Sequence, residues 1–219
     1  MNYAYFVLYL LCGYLIGSIP PAYILGRIVK KIDIREHGSG NVGFTNALRV
    51  LGVVPGVTTL VIDIVKGFLP VWLIGYYGLF VSGHCSIPVD VGMALCGIAV
   101  ISGHNWPVYI GFKGGKGVAT GCGVFLAIAP FSTLLTVSLW IIVLALFKIV
   151  SIASIIAVSV LPVIMILLHE SPVIIMIAVV LAFVIVIRHR ENIKRLLKGE
   201  ERSFRKNKNK SAESEKSSS

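Results

Sequence analysis

Charged side chains are scarce in this chain of 219 residues, of which only 14% are Asp, Glu, Lys or Arg. Soluble domains typically carry about 25% charged residues, so this composition excludes an ordinary soluble protein. The apolar share is 56% and the mean hydropathy is +0.88, and long uncharged runs follow one another along the chain. The sequence therefore predicts a polytopic membrane protein.

Cysteine is also sparse. The chain has only 4 cysteines, and none of them belongs to a CxxC pattern or has a His at ligand spacing. A metal centre or a disulfide framework needs such clustering. We therefore expect Cys12, Cys85, Cys96 and Cys122 to be packing residues, and we expect neither a metal nor a cofactor.

Acidic residues are outnumbered two to one by Lys and Arg, which gives a formal net charge of +10. A basic chain can indicate a nucleic-acid partner, but about half of these cations follow Phe183, beside the last apolar run and in a polar tail. Such clustering is typical of a cytoplasmic membrane anchor. The charge therefore predicts contact with membrane lipid and no nucleic-acid binding.

Apolar runs predict seven membrane crossings, at 3–26, 51–80, 90–110, 117–129, 131–147, 151–168 and 172–188. With seven crossings, every cluster of Lys and Arg outside the runs lies on one side, and the opposite loops carry none. Cytoplasmic loops are the ones enriched in Lys and Arg. We therefore predict an all-α integral membrane protein of seven transmembrane helices, with its amino terminus outside and its carboxyl terminus in the cytoplasm.

The carboxyl-terminal part of the chain divides into two segments. Residues 188–200 are predicted to form a basic amphipathic helix at the membrane interface, and they complete a membrane domain that covers residues 1–202. Residues 203–219 have almost no apolar side chains, so they cannot bury enough surface to fold. We predict that they form a disordered basic cytoplasmic tail.

A glycine-rich polar loop at 38–49 interrupts the apolar runs. Glycines allow backbone N–H groups to converge on a phosphate, and Arg49 can add a bidentate ion pair. The alternative is a flexible linker, but two Asn, two hydroxyl side chains and an Arg among the glycines are not linker composition. The loop therefore predicts an anion site.

A second polar segment, FKGGKGVAT at 112–120, opens the fourth predicted helix. A helix N-terminus favours an anion, and Lys113 and Lys116 add positive charge. The spacing differs from that of a Walker A loop, so ATP is not implied. The alternative is that the lysines anchor the loop inside and the glycines allow close helix packing.

Ionisable residues within or beside the apolar runs can have either a structural or a catalytic role. Asp63 and Lys66 are spaced i, i+3, and we favour a structural ion pair over a direct catalytic role. His104 and His189 border the polar motifs, where an isolated His usually serves as a hydrogen-bonding residue. Neither is predicted to be the general base.

Three motifs together carry a family resemblance: SGNxGxTNxxRxxG at 39–52, GHNWPVYxxFKGGKGVAT at 103–120 and HRENIKRLLxGxE at 189–201. They resemble the signatures of the bacterial acyl-phosphate:glycerol-3-phosphate acyltransferases, the PlsY family. The resemblance implies an enzyme of the bacterial plasma membrane, with its active site on the cytoplasmic face. It would move a fatty acyl group from acyl phosphate to the 1-hydroxyl of glycerol 3-phosphate, giving lysophosphatidic acid and phosphate, without acyl-CoA or acyl carrier protein as donor.

The resemblance also implies site residues. Those expected to be catalytic are Ser39, Arg49, Lys116 and Asn192. Those expected to bind substrate phosphate are Gly40, Asn41, Gly43, Thr45, Asn46, Lys113, Gly114, Gly115, Gly117 and Ser154. Supporting roles are expected for Asp63, Lys66, His104, Ser151 and His189. Because no protein base stands out, the proton of the glycerol hydroxyl is expected to pass to a substrate phosphate oxygen, and the enzyme that supplies acyl phosphate is an expected partner.

A membrane transporter of phosphorylated metabolites is the alternative function. Charged residues within a membrane span, such as Asp63 and Lys66, are typical of a substrate path. Transporters usually show internal repeats and a site at the membrane midplane. We find no convincing repeat, and the polar motifs fall on one predicted face, which favours the enzyme.

Overall fold

The structure, a computed structural model, describes residues 3–73, 75–76, 87–201 and 203. These residues form ten α-helices: α1 Tyr3–Gly17, α2 Pro21–Leu25, α3 Phe44–Leu51, α4 Val53–Pro70, α5 Val89–Asn105, α6 Val118–Ile128, α7 Pro130–Phe147, α8 Val150–Leu167, α9 Pro172–Arg188 and α10 Arg190–Leu197. Each of the seven predicted apolar runs contains at least one helix. The all-α prediction is confirmed for this part of the chain.

Within the described residues, five helical segments are long and apolar enough to cross a membrane: Ala4–Lys30, Val53–Leu73, Val89–Ile110, Pro130–Phe147 and Val150–Leu167. Helices α9 and α10, which meet at a bend of 57°, add a sixth if they count as one span. Helix α6 is apolar but has only 11 residues, a rise of about 17 Å against a hydrocarbon core of about 30 Å. The count of seven crossings and their orientation therefore stay predictions.

Close helix packing in the bundle depends on small residues. A Cβ added at Gly17 of α1 would lie 2.1 Å from the carbonyl oxygen of Val100 in α5, and one added at Gly123 of α6 would lie 2.0 Å from that of Ile64 in α4. Only glycine allows the backbones to approach so closely. Helices in a membrane associate largely through such packing, because lipid tails are as apolar as the helix surfaces.

Polar contacts define one end of the bundle. Ser132, near the start of α7, donates a hydrogen bond to Glu170 after α8 (2.7 Å), and Ser171, just before α9, donates one to Asp90 near the start of α5 (2.5 Å). Lys148 lies in the turn between α7 and α8, at the other end of both helices. Helices α7, α8 and α9 thus alternate in direction, as consecutive membrane crossings do.

A small second core holds the segment between α2 and α3. Ile34 and Val42 of this segment pack with Ala22, Ala47 and Ile110. The larger core lies between α5, α6, α8 and α9. The polar 38–49 segment is therefore attached to the bundle by its own apolar contacts.

A buried carboxylate reinforces this attachment. Asp33 accepts hydrogen bonds from Arg35 (2.7 Å) and Arg27 (3.2 Å), and both guanidinium groups lie over the ring of Tyr23. The hydrogen bonds from Arg35 outweigh burial and lower the pKa of Asp33 to about 2. Arg35 also donates to the carbonyl of Ile110 (3.0 Å), which ties this segment to the loop after α5.

The segment predicted to be a polar loop at 38–49 ends in a helix. Helix α3 begins at Phe44, so about half of the predicted loop is helical. Its apolar residues Phe44, Ala47, Leu48 and Leu51 have the i, i+3, i+4, i+7 spacing of an amphipathic helix. This apolar periodicity indicates a helix, but the polar residues between the four apolar ones obscure it in the sequence.

Candidate active site

A cavity of about 390 Å³ lies among α3, α4 and the helices from α6 to α10. Charged and polar side chains from several elements line its mouth, including Arg49, Lys116 and Asn192. Its interior is apolar, with Ile64, Phe125, Leu161, Ala178 and Ile185 among the lining residues. The cavity therefore fits a molecule with an anionic head and an apolar tail.

The structure brings most of the predicted site residues to this cavity. Those that line it are Ser39, Asn41, Gly43, Thr45, Asn46, Arg49, Asp63, His104, Lys116, Gly117, Ser151, Ser154, His189 and Asn192. They come from separate parts of the chain, so their predicted convergence on one site agrees with the fold. Their individual roles stay predictions.

Asn46 organises the polar loop from within. Its side-chain oxygen accepts a hydrogen bond from the amide of Ser39 (2.9 Å), and its side-chain nitrogen donates to the carbonyls of His37 (3.0 Å) and Asn41 (2.9 Å). Gly38 has a φ of +67°, and a Cβ there would lie 2.3 Å from the Asn46 oxygen. Because the loop occupies both ends of the amide, Asn46 supports the loop conformation, and its predicted role as a phosphate ligand stays a prediction.

The start of α3 presents backbone amides at the cavity mouth. Gly43 is the N-cap and provides no side-chain oxygen, and the first amides of a helix lack partners within the helix. Phe44 and Thr45 at this first turn line the cavity, and Arg49 follows one turn later. The helix dipole and the guanidinium together favour an anion at this position.

A second polar cluster surrounds Lys116, which also lines the cavity. Its ammonium donates to the side-chain oxygen of Asn192, whose nitrogen in turn donates to Glu201 (2.5 Å). Glu201 also accepts hydrogen bonds from Ser151 (2.9 Å) and Arg195 (2.7 Å). The 57° bend between α9 and α10 brings Asn192 to Lys116.

The charges of this cluster are coupled. Burial lowers the pKa of Lys116 to about 8, although Glu201 opposes the shift. Burial acts in the opposite sense on Glu201, but hydrogen bonds from Arg195, Asn192 and Ser151 outweigh it and hold the pKa of Glu201 below its ordinary value. An anion bound beside Lys116 would stabilise the charged ammonium.

Sequence reasoning did not assign Arg195, Glu201 or Trp140, all of which line the cavity. The i, i+3 spacing of Asn192 and Arg195 was a signal that both lie on one helix face. Gly199, with a φ of +69°, ends α10 in a turn in which the Glu200 amide donates to the Arg195 carbonyl, and such a turn reverses the chain. Trp140 donates to the hydroxyl of Ser154 (3.2 Å), a contact between α7 and α8 that sequence spacing does not reveal.

The predicted ion pair of α4 is present. The Lys66 ammonium lies 2.8 Å from the Asp63 carboxylate and donates to the carbonyl of Ile19 (2.7 Å). His104 of α5 lies 3.5 Å from the same carboxylate. Asp63 and His104 line the cavity, whereas Lys66 does not. Among the described residues, no group of three His, Cys, Asp or Glu side chains is placed to hold a metal ion.

Five predicted site residues lie outside the cavity lining: Gly40, Lys66, Lys113, Gly114 and Gly115. The amide of Gly115 donates to the carbonyl of His104 (3.1 Å), and a Cβ at Gly115 would lie 2.1 Å from the His104 ring. Gly115 thus packs closely against α5, and its predicted role in phosphate binding stays a prediction. Of the GGKG segment, Lys116 and Gly117 reach the cavity.

Comparison with known proteins gives concordant results. A family model described as glycerol-3-phosphate acyltransferase matches residues 7–199. The glycerol-3-phosphate acyltransferase of Synechococcus sp. (strain CC9902) is 42% identical over 195 residues, which cover 89% of this chain and 93% of that protein. That of Thermoanaerobacter pseudethanolicus is 41% identical, with 90% and 94% covered.

Two solved structures are also similar. The crystal structure of PlsY, an integral membrane glycerol 3-phosphate acyltransferase, in its glycerol 3-phosphate form has a TM-score of 0.82 and 35% sequence identity, covering 91% of this chain and 96% of that chain. Its lysophosphatidic acid form has a TM-score of 0.80 and 34% identity, covering 91% and 95%. The similarity thus includes sequence, fold and nearly the full length of each protein.

Proposed function

The chain belongs to the glycerol-3-phosphate acyltransferase family of integral membrane enzymes, and we propose that it transfers a fatty acyl group from acyl phosphate to the 1-hydroxyl of glycerol 3-phosphate. The products are lysophosphatidic acid and inorganic phosphate, in the first acylation of bacterial phospholipid synthesis. The resemblance carried by the three motifs is confirmed. The observation that carries the proposal is a single cavity with two cationic polar clusters at its mouth and an apolar interior.

The two polar clusters correspond to two phosphate groups. Ser39, the loop that follows it and Arg49, beside the amides of α3, are suited to the phosphoryl group of acyl phosphate. Lys116, Asn192 and Ser154, from other elements of the lining, are suited to glycerol 3-phosphate. Both substrates can then bind at once, with their reacting ends between the clusters.

The acyl tail has a place below the mouth. Helix α6 has 11 residues and the next helix, α7, has 18. Helix α6 is therefore shorter than α7 by seven residues, or about 10 Å. Lys116 lies two residues before α6, and this shorter helix would leave room for an acyl tail beside it. An acyl phosphate could keep its tail among α6, α7, α8 and α9 while its phosphoryl group contacts the cations at the mouth.

The chemistry requires little from a protein base. The glycerol 1-hydroxyl attacks the acyl carbonyl carbon, the new C–O bond forms, and the bond between the acyl carbon and the phosphate oxygen breaks as phosphate leaves. The hydroxyl proton passes to a phosphate oxygen, so protons balance. His189 contacts the Ile185 carbonyl through Nδ1 (2.8 Å), and His104 faces Asp63, which supports a route through substrate. Positioning and fixed positive charge would supply the acceleration.

Acyl transfer by purified protein tests the proposal. Protein in lipid nanodiscs is supplied with glycerol 3-phosphate and either acyl phosphate or acyl-CoA, and lysophosphatidic acid is measured by mass spectrometry. We expect product from acyl phosphate and none from acyl-CoA. Product from acyl-CoA would contradict the assigned donor.

The transporter alternative is tested with the same preparation. Protein in sealed vesicles is supplied with labelled glycerol 3-phosphate on the outside, without an acyl donor, and the trapped label is measured. We expect no uptake above that of protein-free vesicles. Uptake without acyl transfer in the first assay would make the protein a transporter.

A further inference from the structure

Arg188, the last residue of α9, contacts the polar segment that carries Lys116. Its guanidinium donates to the carbonyl of Gly115 through Nε (3.1 Å) and Nη2 (2.5 Å), and through Nη2 to the carbonyls of Gly114 (3.1 Å) and Asn105 (3.1 Å). The same group lies 5.5 Å from the centre of the Trp106 ring. Arg188 itself does not line the cavity.

These contacts fix the direction of the segment immediately before Lys116. The amide of Gly115 donates to the carbonyl of His104, and its carbonyl accepts from Arg188, so the peptide groups on both sides of Gly115 are held. A peptide carbonyl carries partial negative charge, and one turned toward the cavity would repel a phosphate there. Holding these carbonyls against a cation prevents that arrangement.

We propose that Arg188 is a positioning residue, which holds the carbonyls of Gly114 and Gly115 away from the cavity and thereby sets the place of the Lys116 ammonium. Arg188 and Asn192 lie close together on the α9–α10 segment, and Asn192 accepts a hydrogen bond from Lys116. One helical segment therefore holds Lys116 from its backbone side and from its ammonium side.

The geometry requires arginine at this position. A guanidinium is planar and has five N–H donors in a fixed arrangement, and it stacks on aromatic rings, whereas an ammonium is a compact charge. Lysine at position 188 would keep the positive charge but could not reproduce the contacts with three carbonyls and Trp106. The change Arg188→Lys thus separates the effect of charge from that of position.

Kinetics of Arg188→Lys test the proposal, with Arg190→Lys as the matched control. Arg190 lies two residues away and its side chain is 76% exposed. We expect Arg188→Lys to lower kcat/KM for glycerol 3-phosphate by about 100-fold, chiefly through KM, because a displaced cation binds phosphate poorly. Arg190→Lys should retain the kinetics of the unchanged protein. Loss of folded protein with an unchanged KM in the remaining fraction would overturn the proposal.

The kinetic test rests on the proposed function, and labelling of Lys116 gives a readout that does not. Burial lowers the pKa of Lys116 to about 8, and Arg195 and Arg188 add to this shift. The pH dependence of acetylation at Lys116, followed by mass spectrometry, measures this pKa. Arg188→Lys keeps the charge, so a rise in the pKa of Lys116 would report a displaced ammonium.

The two readouts distinguish the possible failures. If the unchanged protein transfers no acyl group, the proposed function fails, and the labelling of Lys116 decides the role of Arg188 by itself. We expect the pKa of Lys116 to rise in Arg188→Lys and to stay unchanged in Arg190→Lys. An unchanged pKa in both variants would refute the positioning role.

Discussion

Lys113 and Lys116 belong to one motif, yet their surroundings differ completely. Lys113 is exposed and lies outside the cavity, whereas Lys116 lines the cavity and donates to Asn192. Sequence spacing shows that two cations lie near a helix start but not which of them points inward. Lys113 and Lys116 carry the same formal charge, so substituting each in turn compares a lysine outside the cavity with one that lines it.

Alanine substitutions of three cations test this difference. Arg49→Ala and Lys116→Ala should each cost about 2–4 kcal/mol of transition-state stabilisation, or tens to about a thousandfold in kcat/KM, because each removes a proposed charge-assisted phosphate contact. Lys113→Ala should remain within about threefold of the unchanged protein, since a solvated charge contributes little. Steady-state kinetics on folded, inserted variants measure the effects. A loss in Lys113→Ala equal to that in Lys116→Ala would contradict the site.

The lowered pKa of Lys116 predicts a pH dependence. Lys116 is charged below its pKa of about 8 and loses its charge above it, so kcat/KM for glycerol 3-phosphate should fall above about pH 8. The pH profile of kcat/KM reports the pKa values of the free enzyme. Bound phosphate stabilises the charged ammonium, so the fall in kcat itself should begin at a higher pH. Lys116→Arg should abolish the fall, because a guanidinium stays charged in this range. A fall that persists in Lys116→Arg would assign it to another group.

The limits of sequence reasoning are clearest for Asn46 and Glu201. The motif marks Asn46 as a polar residue of an anion loop, but its burial and its four backbone partners become visible only when the loop closes. Glu201 follows a helix by several residues, so its contact with Ser151 depends on how the chain reverses at Gly199. In both cases long-range folding determines what a polar side chain contacts.

At the scale of helices, apolar runs were sufficient to locate the long elements. Helices α4, α5, α7, α8 and α9 all coincide with predicted runs, with starts at most one residue before them, because long uncharged stretches in this composition have few other structures available. The short helices were harder to predict: α3 was hidden in a polar motif, and α6 is too short to establish a crossing by itself. Their positions depend on packing against neighbours.

The apolar lining of the cavity predicts a control of acyl-chain length. Leu161 of α8 lines the cavity, as do Phe125 and Ala178, whereas Met165, one helical turn further along α8, belongs to the same buried core but does not line the cavity. Leu161→Ala should extend the cavity and shift the preference toward longer acyl phosphates. Competition between donors of different chain lengths, with products resolved by mass spectrometry, measures the preference.

Leu181→Ala is the control for this substitution. Leu181 is 5% exposed and Leu161 is 7% exposed, and both belong to the same core, but Leu181 does not line the cavity. Each truncation should destabilise the protein by about 2–5 kcal/mol. Only Leu161→Ala should change chain preference. An equal change in both variants would indicate general loosening of the core.

At the scale of the whole molecule, charge distribution predicted that the polar motifs share one membrane face, and the structure brings all three to one cavity. Which face this is stays a prediction. The predicted disordered tail at 203–219 lies almost entirely outside the described residues, so its character also stays a prediction.

Two turn residues allow the orientation to be tested. Lys148 follows α7 and His169 follows α8, both have a φ near +55° to +57°, and both are exposed. They lie at opposite ends of α8, which has 18 residues, a rise of about 27 Å. In a background without the 4 native cysteines, we compare Lys148→Cys with His169→Cys in intact cells, using a maleimide that does not cross membranes.

The predicted topology places position 169 outside and position 148 in the cytoplasm, because the loops rich in Lys and Arg face inward. His169→Cys should therefore react in intact cells, and Lys148→Cys should react only after the membrane is permeabilised. Reaction of both before permeabilisation would mean that α8 does not cross the membrane. Reaction of Lys148→Cys alone in intact cells would invert the orientation and place the proposed active site on the outer face.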